Sequence, residues 1–187
     1  MFETERLYIR RAEPNGADID LFYRLWTDPK VMRNVGFPSG LRITREEILR
    51  MLESQSEGAL DVRLLATVKE SGELEGRTIG ECKLGKPDKD GVSTTDVKLL
   101  PEFQGRGYGT EIKRGLVAYL FTHTEAQVIR ATPNRRNIAS QKMQEAVGAR
   151  RVGEGVFVAP ESMREYATDV PHFVYEITRE EWKRQNV

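Results

Sequence analysis

Leu99-Leu100-Pro101-Glu102-Phe103-Gln104-Gly105-Arg106-Gly107-Tyr108-Gly109-Thr110 is the stretch that decides how this 187-residue chain is read. Before it, Ser93 to Leu100 has the length and β-branched content of a strand. After it, Thr110 to Thr122 places Ile112, Leu116, Tyr119 and Leu120 inward at helical spacing. The glycines at 105, 107 and 109 therefore occupy a strand-to-helix turn. Glycine takes positive φ without strain and puts no Cβ between backbone and ligand. The helix that follows opens with unpaired N–H groups and the positive end of its dipole. Together these make an anion cradle suited to a phosphate or pyrophosphate.

The spacing argues against the familiar nucleotide loops. No Gly-Lys-Ser/Thr follows a G-x-x-x-x spacer, and the last glycine interval is too short for G-x-G-x-x-G. The plain alternative is a glycine-rich turn that binds nothing.

Outward from the turn, Arg6 to Arg11 reads as a strand. Asp18 is the expected N-cap of a helix through Trp26, with Ile19, Phe22 and Leu25 on one face. A helical turn is expected over Pro29 to Asn34. Thr44-Arg45-Glu46-Glu47 has the form of a capping box, opening a helix that Gly58 ends near Glu57. Strands are expected over 61–69 and 77–84, with turns at Ser71-Gly72 and over 87–91. Downstream come a strand over 127–131, a helix over 137–147 stopped by Gly148, strands over 149–158 and 173–178, and a short helical tail over 180–185. This order predicts one mixed α/β domain over 1–187, the last ten or so residues (about 178–187) forming a tail.

Composition fits that reading. Apolar residues make up 39% and charged residues 31%, and 29 basic residues balance 29 acidic ones. A neutral chain offers no general attraction to nucleic acid or a membrane surface. Cys82 alone makes no internal disulfide, and only two histidines are present, so no metal site is expected. The opening residues lack the apolar core of a signal peptide, and no run approaches the ~18 apolar residues of a membrane span. The expected location is the cytoplasm.

The glycine turn resembles the central Q/R-x-x-G-x-G/A motif of the GNAT superfamily of acyl-CoA N-acyltransferases, here Gln104-Gly105-Arg106-Gly107-Tyr108-Gly109-Thr110. Asn137-Ile138-Ala139-Ser140, followed by Glu145-Ala146-Val147-Gly148-Ala149, resembles the family's Asn-x-x-Ser helix. Glu3 to Arg10 resembles the start of the branch that includes ribosomal-protein N-terminal acetyltransferases. The resemblance covers most of the chain. It implies a mostly antiparallel central sheet with helices on both faces, and acetyl-CoA as cosubstrate with no metal. It also implies an amine acceptor, either a small molecule or a peptide N-terminus, and a homodimer as one oligomeric state.

Site residues follow from the resemblance. Val97, Lys98 and Leu99 would offer backbone hydrogen bonds to pantetheine. Gln104, Gly105, Arg106, Gly107, Tyr108, Gly109 and Thr110 would hold the pyrophosphate, largely through backbone N–H groups. Arg106 is equally readable as a solvated loop residue. Asn137 and Ser140, three apart on one helix face, would reach the pantetheine arm; Asn137 also reads as a plain N-cap. The Arg135-Arg136 pair reads either as a 3′-phosphate contact or as solvated surface.

The implied reaction is direct attack of an amine on the thioester. An alkylammonium titrates near about 10 and an α-amine near about 8, so the acceptor must first lose a proton. The Leu99 backbone N–H would stabilise the developing oxyanion. Many family members carry a tyrosine acid seven residues after the helix asparagine; here that position is Gln144, an amide that donates no proton at neutral pH. Ser140 is the nearest substitute in sequence. Glu81 is the favoured base candidate and Asp96 the other, their strand parity being open. Replacing Glu81 by Gln is expected to slow transfer and raise the pH optimum. Cys82 reads as a buried strand residue, His172 as structural, and Trp26 and Phe22 as core or cleft wall. The competing readings are a non-catalytic acyl-CoA sensor or scaffold module and a binder of some other nucleotide.

Overall fold

A computed structural model describes residues 1–69 and 73–185; the turn expected at Ser71-Gly72 lies outside the described residues. One eight-stranded sheet organises the chain, in the order β1-β2-β3-β4-β5-β6-β8-β7. The strands are β1 (Phe2–Glu3), β2 (Leu7–Arg11), β3 (Arg63–Val68), β4 (Thr78–Leu84), β5 (Val92–Leu99), β6 (Val128–Ala131), β7 (Arg150–Phe157) and β8 (Val170–Thr178). Every neighbouring pair is antiparallel except β5 and β6. The helices are α1 (Gly16–Thr27), α2 (Pro29–Met32), α3 (Arg45–Glu53), α4 (Tyr108–His123), α5 (Ile138–Glu145) and α6 (Arg179–Gln185). Among the described residues no helix is long and apolar enough to cross a membrane.

Cross-strand register sorts the central side chains onto two faces. Leu65, Glu81 and Lys98 stand opposite one another on adjacent strands, as do Leu64, Cys82 and Val97 on the other face. The Glu81 face meets Trp26 of α1, whose indole N–H donates to the carboxylate at 2.6 Å. The Val97 face also carries Thr95, which meets Lys113 of α4. Helices therefore cover both faces, as the resemblance implies. Phe22, Leu25 and Ile48 are fully buried from α1 and α3, and Ile112, Leu116 and Leu120 from α4. Each such side chain contributes roughly 1.5–3 kcal/mol by leaving water.

Local chemistry revises several boundaries. Asn15, not Asp18, caps α1: its side chain accepts the Asp18 N–H at 3.0 Å. Asp18 is instead buried in the first turn, gripped by both Arg10 guanidinium nitrogens at 2.6 and 2.7 Å. The capping box at Thr44 and Glu47 forms in both directions. α3 ends at Glu53 rather than near Glu57, and just beyond its end the Gln55 side chain accepts the Arg63 N–H at 2.5 Å. α4 begins two residues earlier than the spacing suggested, with left-handed Gly107 (φ +83°) as its N-cap. Tyr108, Gly109 and Thr110 thus form its first turn. β1 is only two residues long and carries no periodicity to read.

Candidate active site

β5 and β6 pair only from Val92–Thr94 to Val128–Arg130, and beyond Thr94 they part. The gap opens a cleft of about 600 Å³. Thr95, Asp96, Val97, Lys98 and Leu99 form one wall, and residues 131–134 the other. The start of α4 and the inner side of α5 close it below, while Lys30, Val31, Asn34 and Val35 face it from across. The Asn134 side chain donates to the Asn34 backbone carbonyl at 3.2 Å, linking the two rims.

Hydrogen-bond alternation decides what β5 offers the cleft. Leu100 donates to the Ile79 carbonyl and Gly85 to the Thr94 carbonyl, so the even-numbered residues of β5 spend their backbone groups on β4. Thr95, Val97 and Leu99 turn theirs the other way, into the gap. The Val97 N–H is occupied by the Asp96 carboxylate at 3.0 Å. Its carbonyl and the Leu99 N–H are the groups left facing the cleft. Lys98 contributes its side chain, not the backbone contact that was expected. Gly80 makes the β4–β5 approach close: a Cβ there would meet the Lys98 carbonyl at 2.3 Å.

The glycine turn sits at the Leu99 end of this wall. Gly105 and Gly107 have φ of +73° and +83°, conformations that favour glycine. The Gln104 side chain donates to the Leu99 carbonyl at 3.0 Å and ties the turn to the strand. Arg6 braces it from outside, donating to Glu111 at 2.7 Å and to the Arg106 carbonyl at 3.3 Å, and lying 4.4 Å from the Tyr108 ring centre. Burial favours protonation of Glu111, but hydrogen bonds from Thr4 and Arg6 outweigh it and keep its carboxyl below the usual range. Gly105, Gly107, Gly109 and Thr110 line the cleft; Arg106 and Tyr108 do not. Arg106 lies over Phe103, 5.8 Å from its ring centre, and Tyr108 is buried.

Asn137 and Ser140 both reach the cleft. Asn137 also caps α5, accepting the Ser140 N–H at 3.1 Å, so both readings of that residue describe the same geometry. Gln144, one turn on, is 3% exposed and lines the cleft with its Oε1 buried and unpartnered. A buried amide oxygen in that state is poised to accept from a ligand donor. Arg135 pairs with Glu154 at 2.9 Å and, like Arg136, stands outside the cleft lining. His172 lies on β8, its Nδ1 against the Val170 carbonyl at 3.2 Å. Cys82 is buried, and burial pushes its thiol well above the usual range.

Glu81, the favoured base candidate, lies beneath the cleft rather than in its wall. It is 2% exposed, and Trp26 at 2.6 Å, Lys98 at 3.2 Å and Arg63 at 3.6 Å surround its carboxylate. Asp96 does line the cleft. Burial raises its carboxyl, but the charge and hydrogen bond of Lys98 more than offset this, and the net direction is down.

Lys113 is a cleft residue that the sequence motifs do not include. It is 2% exposed, lines the cleft from α4, and donates to the Thr95 hydroxyl. Burial pushes its ammonium down to about 7, with Asp96 pulling weakly the other way. Its only sequence signal is position: it falls three and four residues before Leu116 and Val117, in the apolar stripe of the helix.

The acetyltransferase (GNAT) domain family matches residues 6–150. A curated relative, the uncharacterized N-acetyltransferase p20 of Bacillus licheniformis, is 26% identical over 152 residues, which span 80% of this chain and 82% of that protein. Among solved structures, aminoglycoside acetyltransferase AAC(6′)-Ib with coenzyme A superposes at a TM-score of 0.72 and 20% identity, covering 97% of this chain and 99% of that one. Spermidine N-acetyltransferase from Vibrio cholerae, with coenzyme A and spermine, superposes at 0.74 and 15% identity, covering 95% and 98%. At these identities the structures speak for the fold, and none of these matches reaches the ribosomal-protein branch that the opening residues resemble. The family match spans most of the chain and agrees with the split sheet and glycine cradle: the chain belongs to the GNAT acetyltransferase family and is an acyl-CoA-dependent acyltransferase.

Proposed function

We propose that the protein transfers an acetyl group from acetyl-CoA to the primary amine of a small molecule, by direct attack within a ternary complex. The observation that carries this reading is the parting of β5 from β6 with a glycine cradle at one end of the gap. The residues present fit coenzyme A. First-turn N–H groups of α4 and the positive-φ glycines suit its pyrophosphate. The Val97 carbonyl and Leu99 N–H suit an amide-bearing arm, and the buried Gln144 Oε1 asks for a donor. When bound, acetyl-CoA supplies an acyl group activated as a thioester.

The chain's own residues then have separable tasks. Gly105, Gly107, Gly109 and Thr110 hold the phosphates, the Leu99 N–H beside them holds the near end of the arm, and Asn137 and Ser140 border it. Among the described residues Asp96 is the one carboxylate on the cleft wall, and it draws a cationic acceptor toward the carbonyl. Because Lys98 keeps that carboxyl low, it is a weak base, and water takes the acceptor's proton. An alkylammonium near about 10 is only about one-thousandth neutral at pH 7, so losing that proton is part of the barrier and the rate should rise with pH. Glu81 supports this arrangement by fixing Lys98 instead of abstracting the proton.

The small-molecule acceptor draws on the neighbours named for aminoglycoside and spermidine acetylation. A panel of polyamines, aminoglycosides and peptides with free N-termini, read by thiol release from acetyl-CoA, tests it. Initial rates at varied donor and acceptor should give intersecting lines for a ternary complex; parallel lines would point to an acyl-enzyme. Preference for peptides would move the acceptor to the other class.

A further inference from the structure

We propose that Lys113 is the proton donor to the leaving thiolate of this acyl transfer, filling the role left open by Gln144. The inference rests on the acyltransferase reading above and adds a residue to it.

Placement carries the argument. The phosphate cradle lies at the Leu99 end of the β5 wall. Thr95 lies four residues back, about 13 Å along the strand. Lys113 lies roughly one helical turn, about 5 Å, beyond Gly109 and Thr110 on α4. Strand and helix therefore bring Thr95 and Lys113 together at the end of the cleft remote from the cradle, and Lys113 donates to the Thr95 hydroxyl there. A donor with its phosphates in the cradle and its arm along β5 presents its thioester toward that end. Gln144 of α5 lines the same cleft, its Oε1 unpartnered.

The neighbours leave the ammonium poorly compensated. On β5, Asp96 points to the opposite face and is paired with Lys98. On β4, Glu81 is held by Trp26 and Lys98. Across the cleft α2 brings another cation, Lys30, and α5 brings the neutral Met143 and Gln144. Within α4, Glu111 is taken by Arg6. No carboxylate lies within ion-pair distance of Lys113 among the described residues. An amine in such a setting gives up its proton readily. At about 7 it lies below an ordinary thiol near about 8.5, so transfer to the thiolate runs downhill.

The step balances. The acceptor nitrogen forms its bond to the acyl carbon, and the C–S bond breaks with its electron pair on sulfur. One Nζ proton passes to that sulfur, leaving free thiol and neutral Lys113. The proton shed by the acceptor amine goes to solvent, and solvent recharges Lys113. Ser140 is not a rival, since an aliphatic hydroxyl is a far weaker acid than a thiol.

Lys113→Met keeps the volume and removes the amine, so the variant should fold. Coenzyme A affinity should stay within a few-fold of wild type, while thiol release from acetyl-CoA falls about 100-fold or more. With p-nitrothiophenyl acetate as donor, whose thiolate needs no proton, the variant and wild type should converge. Independently of turnover, ¹⁵N-lysine NMR of the whole protein should show one Nζ titrating near 7 that is missing from the variant. Equal turnover of variant and wild type on acetyl-CoA overturns the proposal, as does the absence of any lysine titrating below about 9. If wild type releases no thiol with any amine, the acyltransferase reading fails, and the NMR titration still decides whether Lys113 is a labile acid.

Discussion

Lys98 and Lys113 border the same cleft from opposite faces of β5, and their surroundings make them different groups. Lys98 is flanked by Asp96 and by Glu81 at 3.2 Å, on the α1 face. Burial alone would lower its ammonium, but the two carboxylates overcome it and the net direction is up. Lys113, on the α4 face, has the Thr95 hydroxyl in place of a carboxylate, and burial takes it down to about 7. One residue type thus serves as a fixed charge on the acceptor side and as a titrating acid on the thiol side. The lesson is that desolvation sets the direction of a buried lysine only when no anion answers it.

The largest effect should come from breaking the Lys98 side. Glu81→Gln keeps an acceptor for Trp26 but removes the buried carboxylate between Lys98 and Arg63. Unfolding free energy should fall by about 3 kcal/mol, the lower end for splitting a buried pair. A loss under about 1 kcal/mol in denaturant titration would make the contact equivalent to an exposed one. A raised pH optimum for this variant requires Glu81 to be the base and is not expected from its position beneath the cleft.

A second change sharpens the Lys113 side through stability. Its folded value of about 7 lies below the ordinary 10.5. Between those limits the unfolded chain holds a proton that the folded protein has released, so wild-type stability rises with pH by up to about 1.4 kcal/mol per unit. Lys113→Met lacks this slope. The variant should be the more stable protein near pH 7, and its advantage should shrink toward pH 10. A pH-independent gap contradicts the titration. The smallest effect separates cradle from acid. Gly107→Ala puts a Cβ on a residue at φ +83°, 3.3 Å from Arg6. Strain of about 1 kcal/mol should weaken coenzyme A binding by up to about fivefold, with the Lys113 titration unmoved.

What the sequence disclosed and what it hid follow one division. Gly105 and Gly107, the Thr44 capping box and the Asn137 cap are local devices, each needing only a few neighbours in the chain. The motif residues Leu99, Gln104, Thr110 and Ser140 come to the cleft for the same reason. Face and partner are not local. Glu81 and Asp96 share a face only because β4 and β5 pair in one register, and one residue of slip would exchange them for Gly80 or Cys82 and Val97. Lys113 drew no reading from the sequence, although it stands in line with Leu116 and Val117. A charged residue within an apolar stripe was the available warning. Asn15 displaced Asp18 as cap because Arg10, on a separate strand, claims the Asp18 carboxylate.

The central claim is that this cleft acylates an amine at the expense of acetyl-CoA. Its most direct test is a single reaction in which free thiol and N-acetylated amine are measured together. Equimolar appearance of both, dependent on the protein, is the predicted result. Acetyl-CoA bound without either product, across the whole amine panel, would contradict the account and leave a cofactor sensor in its place.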